Sequence, residues 1–194
     1  MSGYRVAREE WQTPDIRVLM IAPEPCFQPR GTPFSVYHRI VALLKSGHHI
    51  DLATYPFGDD ISLQGLRIFR SATVPGVTNV KVGPSRAKIV LDLLLIWRCL
   101  GLLLCNRYDA VHSHEEAGFW GVVLAKLIRK PHIYDMHSDL AQQLGNFQFT
   151  NNRLLVGLMR WAQRFIVRGS DAVIVICADL EQRDDAGRTA LLLA

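Results

Sequence analysis

The feature that most constrains the fold is a repeated alternation of short apolar runs with longer segments of helical periodicity. Arg17–Ala22 (RVLMIA) has the length and composition of a buried strand. Between Pro33 and Gly47, five apolar residues fall on one face of a helix, namely Phe34, Tyr37, Ile40, Val41 and Leu44. This alternation is typical of a parallel sheet with helices on both faces. We therefore expect an α/β fold with a doubly wound, mainly parallel sheet.

The same alternation predicts six strands, four helices and a Rossmann-like order, with ligands at the carboxyl ends of the strands. The 194 residues suit one domain, and 49% hydrophobic with 21% charged residues excludes a disordered chain. The predicted strands are Arg17–Ala22, His49–Tyr55, Leu66–Arg70, Tyr108–Ser113, Pro131–Met136 and Ala172–Cys177. The predicted helices are Pro33–Gly47, Ile89–Cys105, Ala117–Arg129 and Asn152–Arg168.

The chain divides into three parts by composition. Residues 1–15 form a polar N-terminal extension that lacks the apolar core of a signal peptide. Residues 16–182 form the α/β domain, and residues 183–194 are expected to be an irregular tail. The four cysteines show no C-x-x-C spacing, which predicts reduced, buried thiols and a cytoplasmic location. The net charge of +4 is scattered along the chain, so we expect no nucleic-acid partner.

Two segments bear on membrane contact. Ile89–Cys105 approaches the length of a membrane span, but Asp92 and Arg98 would each cost about 2.5–3.5 kcal/mol at the centre of an inserted helix. A buried helix is the preferred interpretation, and a helix that partly faces lipid is the alternative. The last predicted helix carries an arginine stripe that either faces water or contacts anionic lipid, at the inner face of the cell membrane. The stripe comprises Arg153, Arg160, Arg164 and Arg168.

The loop after the first strand excludes two common nucleotide sites. Neither G-x-G-x-x-G nor the Walker sequence is present, which argues against a simple dehydrogenase or P-loop NTPase. Thr32 is predicted to cap the following helix, with Pro33 at its first position. Gly31 would let a ligand approach the backbone, and Arg30 adds positive charge where a helix N-terminus favours an anion such as phosphate. A proline-rich turn without a ligand is the alternative.

Histidines follow two neighbouring strands of the predicted sheet. The predicted strand Tyr108–Ser113 leads into His114 and Glu115. If the strand runs on to His114, alternation puts His112 and His114 on the same side, and His137 and Asp139 follow the next strand. Imidazoles at this edge can hydrogen-bond a substrate hydroxyl or phosphate, or transfer a proton. We therefore predict a substrate site here, with purely structural histidines as the alternative.

A metal site is a further alternative for these residues. His112, His114, His137 and Asp139 are of metal-ligand type, but the sequence contains neither H-E-x-x-H nor paired cysteines. We assign no metal ligand from the sequence.

Together these segments resemble family 4 glycosyltransferases of the GT-B fold. The segment IRVLMIAPEP…RGTPFSVYHRIVALLKSGHHIDLATY resembles the family's first strand, glycine-containing loop, helix and second strand. YDAVHSHEEAGFWGVVLAKLIRKPHIYDMHSDL is similar to its two histidine-bearing strand ends, and SDAVIVICADLEQ to the last strand of its N-terminal domain. The resemblance covers about Ile16 to Gln182 and rests on the order and spacing of the motifs.

The resemblance implies transfer of a sugar from a nucleotide-sugar donor to an acceptor, with retention of configuration and without an obligatory metal or other cofactor. It implies a catalytic position near the transferring sugar for His114, a place in the cleft wall for His137, and a place near the donor diphosphate for Gly31. The paired glycines common in the family are here Arg30-Gly31-Thr32, so close phosphate contact depends on one glycine.

In this family the N-terminal domain mainly holds the acceptor, and a second domain grips the nucleotide. The chain contains no candidate for that second domain, so we expect an acceptor-binding half that does not turn over alone. The expected acceptor is an envelope or polysaccharide glycan or a lipid-linked sugar. The alternatives are a non-catalytic sugar- or phosphate-binding module, a subunit that pairs with a separate C-terminal half, and a flavodoxin-like enzyme, which would lack its phosphate loop.

Overall fold

The computed structural model describes residues 15–27, 31–77, 85–137, 153–175 and 190–192. Within these ranges lie seven strands and four helices. The strands are β1 (Arg17–Ala22), β2 (His49–Thr54), β3 (Leu66–Arg70), β4 (Ala110–His114), β5 (His132–Met136), β6 (Ala172–Val175) and β7 (Ala190–Leu192). The helices are α1 (Gly31–Lys45), α2 (Arg86–Cys105), α3 (Ala117–Leu127) and α4 (Arg153–Gly169).

All seven strands are parallel and lie in the order β3-β2-β1-β4-β5-β6-β7. Their carboxyl ends therefore meet at one edge of the sheet. The chain winds outward from β1 to β3 and then returns to β4 on the other side of β1, so a topological switch point lies between β1 and β4. Open α/β sheets bind ligands in the crevice at such a point. The predicted fold class, a Rossmann-like doubly wound parallel sheet, is confirmed.

The alternation of side chains along β1 divides the core between the two faces of the sheet. Met20 packs with Val36 and Ile40 of α1 on one face. Leu19 packs with Leu91 and other residues of α2 on the opposite face, where α3 also contributes. A third cluster joins α3 and α4 to the α2 side of β5 and β6. One face is thus covered by α1 and the other by α2, α3 and α4.

Three sequence expectations need correction or comment. The tail was expected to be irregular, but Ala190–Leu192 forms β7 and extends the sheet parallel to β6. So short an apolar run has too few residues for its periodicity to reveal a strand. The expectation of buried thiols holds for Cys26 and Cys99 and is wrong for Cys105, which is exposed at the end of α2. Among the described residues, no helix has the length and hydrophobicity that crossing a membrane requires.

Candidate substrate-binding site

A cluster of buried polar side chains lies at the carboxyl edge of the sheet, beside the switch point. Register places His112 of β4 beside Met20 of β1, and His114 beside Asp135 of β5. Because paired residues of parallel strands face the same side, these polar groups lie on the face covered by α1. The side chains of His112, His114 and Asp135 are 2%, 0% and 0% exposed.

Asp135 is the centre of this cluster. Its Oδ2 atom accepts from Nε of Arg39 at 2.8 Å and forms an ion pair with Nη2 of the same guanidinium at 2.8 Å. Nε2 of His112 and Nδ1 of His114 each lie 3.6 Å from this oxygen, and Nε2 of His137 lies 3.5 Å from Oδ1. One carboxylate therefore organises three imidazoles and a guanidinium from α1.

The three imidazoles are stacked in a row. The rings of His112 and His114 have centroids 4.8 Å apart and planes inclined by 14°. The rings of His114 and His137 are 5.6 Å apart, and Nδ1 of His114 lies 3.3 Å from Nε2 of His137, within hydrogen-bond distance. The two strand ends that the sequence singled out are thus joined in one site.

The environment keeps the Asp135 carboxylate ionised and two of the neighbouring imidazoles neutral. Burial lowers the pKa of His114 well below its usual value, and the neighbouring His112 lowers it further. Burial also lowers the pKa of His137. Burial would raise the pKa of Asp135, but the neighbouring imidazoles, first of all His112, hold it below its usual range. At neutral pH, His114 and His137 are therefore neutral hydrogen-bonding groups beside an ionised carboxylate.

Within the described part of the chain, several polar atoms of the cluster lack a hydrogen bond. Nε2 of His112, Nε2 of His114 and Oδ1 of Asp135 are buried without a hydrogen bond to any described residue. Leaving such a group unpaired costs about 1–3 kcal/mol, so folded proteins rarely do so without a functional reason. These atoms are the natural hydrogen-bonding partners of a ligand at this edge.

His132 provides the structural contrast. It lies on the opposite face of the sheet, where its Nε2 pairs with Ser113 Oγ at 2.8 Å and its Nδ1 with Ser170 Oγ at 2.9 Å. Burial lowers the pKa of His132 to about 4. Both of its ring nitrogens are satisfied within the protein, as expected of a histidine that serves packing alone.

The start of α1 approaches the end of β4 beside this cluster. Gly31 has a φ of +54°, and a Cβ atom built there would have no neighbour within 4 Å, so its backbone faces open space. The hydroxyl of Thr32 donates to Oε1 of Glu115 at 3.5 Å. The prediction that Thr32 caps the helix is wrong, because α1 already begins at Gly31. Arg30 and Asp139, also predicted as binding residues, lie outside the described residues.

A second acidic group at the same edge escaped the sequence analysis. Burial, together with the charges of Glu115 and Glu116, raises the pKa of Glu24 to about 9. Lys88 of α2 forms an ion pair with Glu116. The only sequence signal for Glu24 is its position directly after β1, where a parallel sheet collects its functional residues.

Arg39 and Asp135 were likewise missed as site residues. Arg39 lies on α1 among residues chosen for their apolar periodicity, and Asp135 lies inside a strand. The sequence did contain a signal, because Asp135 is a charged residue within a buried strand. A buried charge requires a partner, so its position indicates a polar cluster around it.

The cluster is also of metal-ligand type. One ligand atom from each of His112, His114 and Asp135 lies within 4.8 Å of the others. Arg39 already pairs with the carboxylate, so a cation here would share Asp135 with a guanidinium at 2.8 Å. The same atoms are equally suited to hydrogen-bond hydroxyl or phosphate oxygens, and we assign no metal to them.

Comparison with known proteins identifies the family. Residues 30–184 match the model of the glycosyl transferase 4-like domain, and the chain belongs to this family. The resemblance read from the motifs is thereby confirmed. No curated protein sequence is detectably similar to the chain.

Solved structures of similar fold are glycosyltransferases. Sucrose-phosphate synthase from Thermosynechococcus elongatus aligns with a TM-score of 0.62 and 15% identity over 91% of this chain and 47% of its own. MurG from Acinetobacter baumannii aligns with a TM-score of 0.54 and 12% identity over 92% and 45%. Arabidopsis thaliana UGT89C1, solved with UDP, aligns with a TM-score of 0.54 and 16% identity over 87% and 47%. The chain thus spans about half the length of these three proteins.

Proposed function

We propose that the chain is the acceptor-binding N-terminal domain of a retaining glycosyltransferase. The complete reaction transfers a sugar from a nucleotide-sugar donor to an envelope or polysaccharide acceptor, either a glycan or a lipid-linked sugar. The protein works in the cytoplasm, peripherally at the inner face of the cell membrane. The observation that carries the proposal is the buried Nε2 of His114, which forms no hydrogen bond to any described residue, at the switch-point edge of a glycosyl transferase 4-like domain.

The chemistry suits the residues at this edge. In the transfer, the oxygen of an acceptor hydroxyl bonds to the sugar's anomeric carbon, and the bond from that carbon to the donor phosphate oxygen breaks. The hydroxyl proton passes to the departing phosphate. The protein must orient the reacting sugar and stabilise charge on the departing phosphate. His114 is the catalytic residue beside the transferring sugar, and it acts as a neutral hydrogen-bonding group. Its low pKa supports this role, because a neutral imidazole offers both a donor and an acceptor.

The remaining predicted residues bind substrate in this proposal. His112 and His137 contact sugar hydroxyls, and Glu115 with Thr32 lines the opening beside them. Gly31, which faces open space at the start of α1, receives the donor phosphate. The proposed reaction uses no metal and no other cofactor. The UDP bound in the solved structure of Arabidopsis UGT89C1 supports a nucleotide-sugar donor.

Acceptor binding by this chain tests the proposal directly. A panel of immobilised glycans and lipid-linked sugars would be titrated with the 194-residue chain and with His114→Asn, which keeps a polar amide in the buried site. We expect His114→Asn to weaken acceptor binding about tenfold, the effect of losing one well-placed hydrogen bond. His49→Asn, at an exposed histidine whose Nε2 lies 3.3 Å from Oδ2 of Asp15, is the matched control and should bind as the wild type does.

Circular dichroism of His114→Asn separates loss of binding from loss of fold. Should this variant unfold, His137→Asn takes its place, because the His137 side chain is 6% exposed and that of His114 is 0% exposed. The proposal would be wrong if no sugar-bearing acceptor bound, or if folded His114→Asn and His137→Asn both bound acceptor as tightly as the wild type.

A further inference from the structure

The exposed apolar surface of this protein is concentrated on one side. With the exception of Phe34, every exposed large hydrophobic side chain of the described residues lies on α2, α3 or α4. These three helices cover the same face of the sheet. The residues are Ile89, Val90, Leu93, Trp97 and Leu104 of α2, Phe119, Val123 and Leu127 of α3, and Leu158 and Trp161 of α4. We call this set the outer apolar face.

The spacing of these residues produces continuous stripes rather than scattered contacts. Along α3, Phe119, Val123 and Leu127 follow one another at intervals of four residues, which keeps them on one side of the helix. The ring centroids of Trp161 in α4 and Phe119 in α3 are 6.3 Å apart, so an aromatic contact joins the stripes of these two helices. Trp97 and Trp161 are 71% and 56% exposed. Contiguous apolar surface with exposed tryptophans is typical of proteins that bind a partner or a lipid interface.

The charge around this face indicates an anionic partner. The exposed arginines Arg160, Arg164 and Arg168 lie on α4, and the sequences of α3 and α4 contain no acidic residue. The single acid of α2, Asp92, accepts a hydrogen bond from the hydroxyl of Tyr55 behind the helix. Apolar stripes flanked by cations and free of exposed carboxylates are the pattern of helices that lie on anionic membranes.

A basic cleft opens at the carboxyl ends of α3 and α4, on the opposite edge from the histidine cluster. It has a volume of about 370 Å³. Four cations line it, namely Lys126, Arg129, Lys130 and Arg168, against the single carboxylate of Asp171. That carboxylate already accepts the backbone N–H of His132 at 2.9 Å. Among the described residues, Lys126, Arg129 and Arg168 form no ion pair, so they are available to a phosphate.

We propose that the outer apolar face docks onto an anionic phospholipid bilayer, and that the basic cleft takes the phosphate of one lipid headgroup. This inference deepens the membrane contact of the proposed function by naming its surface, and it does not depend on sugar transfer. The two tryptophans lie at the level of the lipid headgroups. There the apolar ring contacts lipid and the indole N–H contacts water. The negative surface potential of the membrane attracts the arginines of α4.

Vesicle co-sedimentation of the 194-residue chain tests the docking. We expect binding to vesicles with about 30% phosphatidylglycerol, little binding to pure phosphatidylcholine, and weakening in about 0.5 M salt. Arg160→Gln/Arg164→Gln/Arg168→Gln should weaken binding roughly a hundredfold, since each basic residue at an anionic surface contributes about fivefold. Trp97→Ala/Trp161→Ala should weaken it about tenfold or more through lost apolar burial. Lys45→Gln and Phe34→Ala, exposed positions on α1, are the matched controls and should bind as the wild type does.

A second arm distinguishes a lipid headgroup from a free phosphate. Arg129→Gln should weaken vesicle binding, and soluble glycerol phosphate should compete only weakly, because the cleft acts together with the apolar face. Tight binding of soluble glycerol phosphate without vesicle binding would overturn the docking and leave a small-anion site. Equal binding to neutral and anionic vesicles would also overturn it.

Analytical ultracentrifugation tests whether a second copy of the chain, and not a bilayer, binds the outer apolar face. Self-association that Trp97→Ala/Trp161→Ala abolishes, with no vesicle binding, would make the face an interface between copies and overturn the proposal. Titration with glycans on the same samples keeps the two proposals separate. If vesicle binding fails and acceptor binding is intact, only the docking proposal is overturned. If acceptor binding fails and vesicle binding is intact, only the proposed transferase function is overturned.

Discussion

Asp135 shows how one residue controls the site. It is fully buried, and the guanidinium of Arg39, itself 17% exposed, is its cationic partner. Removing one member of a buried ion pair leaves the other without compensation. We predict that Asp135→Asn lowers the free energy of unfolding by about 3 kcal/mol, measured by urea denaturation. The amide keeps the shape of the side chain, so the loss reports on charge.

Asp60→Asn is the matched comparison for this prediction. Asp60 also pairs with an arginine, Arg70, but its side chain is 83% exposed. We expect a change of less than about 1 kcal/mol there, because exposed ion pairs contribute little. Similar losses in both variants would show that burial does not determine the contribution of Asp135.

Glu24 predicts an unusual dependence of stability on pH. Its pKa is raised to about 9 in the folded protein, mainly by burial, whereas an unfolded chain has a glutamate pKa of about 4.3. Between these values the folded state holds a proton that the unfolded state has lost. This contribution to stability is therefore complete below about pH 4.3 and is lost as the pH rises towards about 9.

Glu24→Gln should remove this dependence, because an amide mimics the protonated acid and does not ionise. We expect the variant and the wild type to have the same free energy of unfolding near about pH 4.5. At higher pH the variant should be the more stable of the two, by about 2 kcal/mol or more near pH 8. Thermal or urea unfolding at a series of pH values measures the difference, in which the contributions of the histidines cancel. A difference that stays constant from acid to alkaline pH would mean that Glu24 ionises normally in the folded protein.

At the scale of elements, glycines determine how closely α3 packs on the sheet. A Cβ atom at Gly121 would lie 2.7 Å from Nε2 of His132 and 2.9 Å from Cβ of Ser113. These two side chains are hydrogen-bonded to each other and cannot yield easily. We predict that Gly121→Ala destabilises the protein by about 2 kcal/mol through overpacking. The shift of the urea midpoint measures the loss.

Gly101 of α2 is the control for helix propensity. A Cβ atom there would have no neighbour within 4 Å, so alanine gains helical preference without a clash. Gly101→Ala should raise stability by about 0.5–1 kcal/mol. If both alanine variants were stabilising, α3 would have room to move away from the sheet.

The elements were also the most predictable part of the molecule. The ranges of β1 and β3 agree with the sequence prediction, because buried parallel strands leave short apolar runs between turns. β7 was missed, since a strand that adds to an edge is defined by its pairing with β6 and not by its own three residues. At the site, the periodicity of β4 predicted that His112 and His114 share a side. It did not predict Arg39, because a helix position reveals its partner only through tertiary packing.

At the scale of the whole molecule, the proposed function makes this domain one wall of a cleft. The glycosyltransferases of similar fold are about twice as long, and this chain covers 47% of sucrose-phosphate synthase and 45% of MurG. The family resemblance implies that a second domain binds the nucleotide. One domain alone cannot exclude water from both substrates. We therefore predict that the 194-residue chain binds acceptor without releasing the nucleotide from nucleotide-sugars or transferring their sugar. A coupled assay of nucleotide release from a panel of nucleotide-sugars, with and without acceptor, measures this.

Adding a nucleotide-binding C-terminal GT-B domain, supplied as a separate protein or fused to the chain, is the complementary experiment. Because the proposed arrangement then has the histidine cluster face the donor across the cleft, we expect acceptor-dependent nucleotide release. His114→Asn should lower its rate by about tenfold to a thousandfold, the range for loss of one preorganised group. His49→Asn should leave the rate unchanged, since that side chain is exposed away from the cluster. Acceptor-dependent turnover by the 194-residue chain alone would contradict the prediction and require a complete donor site within this domain.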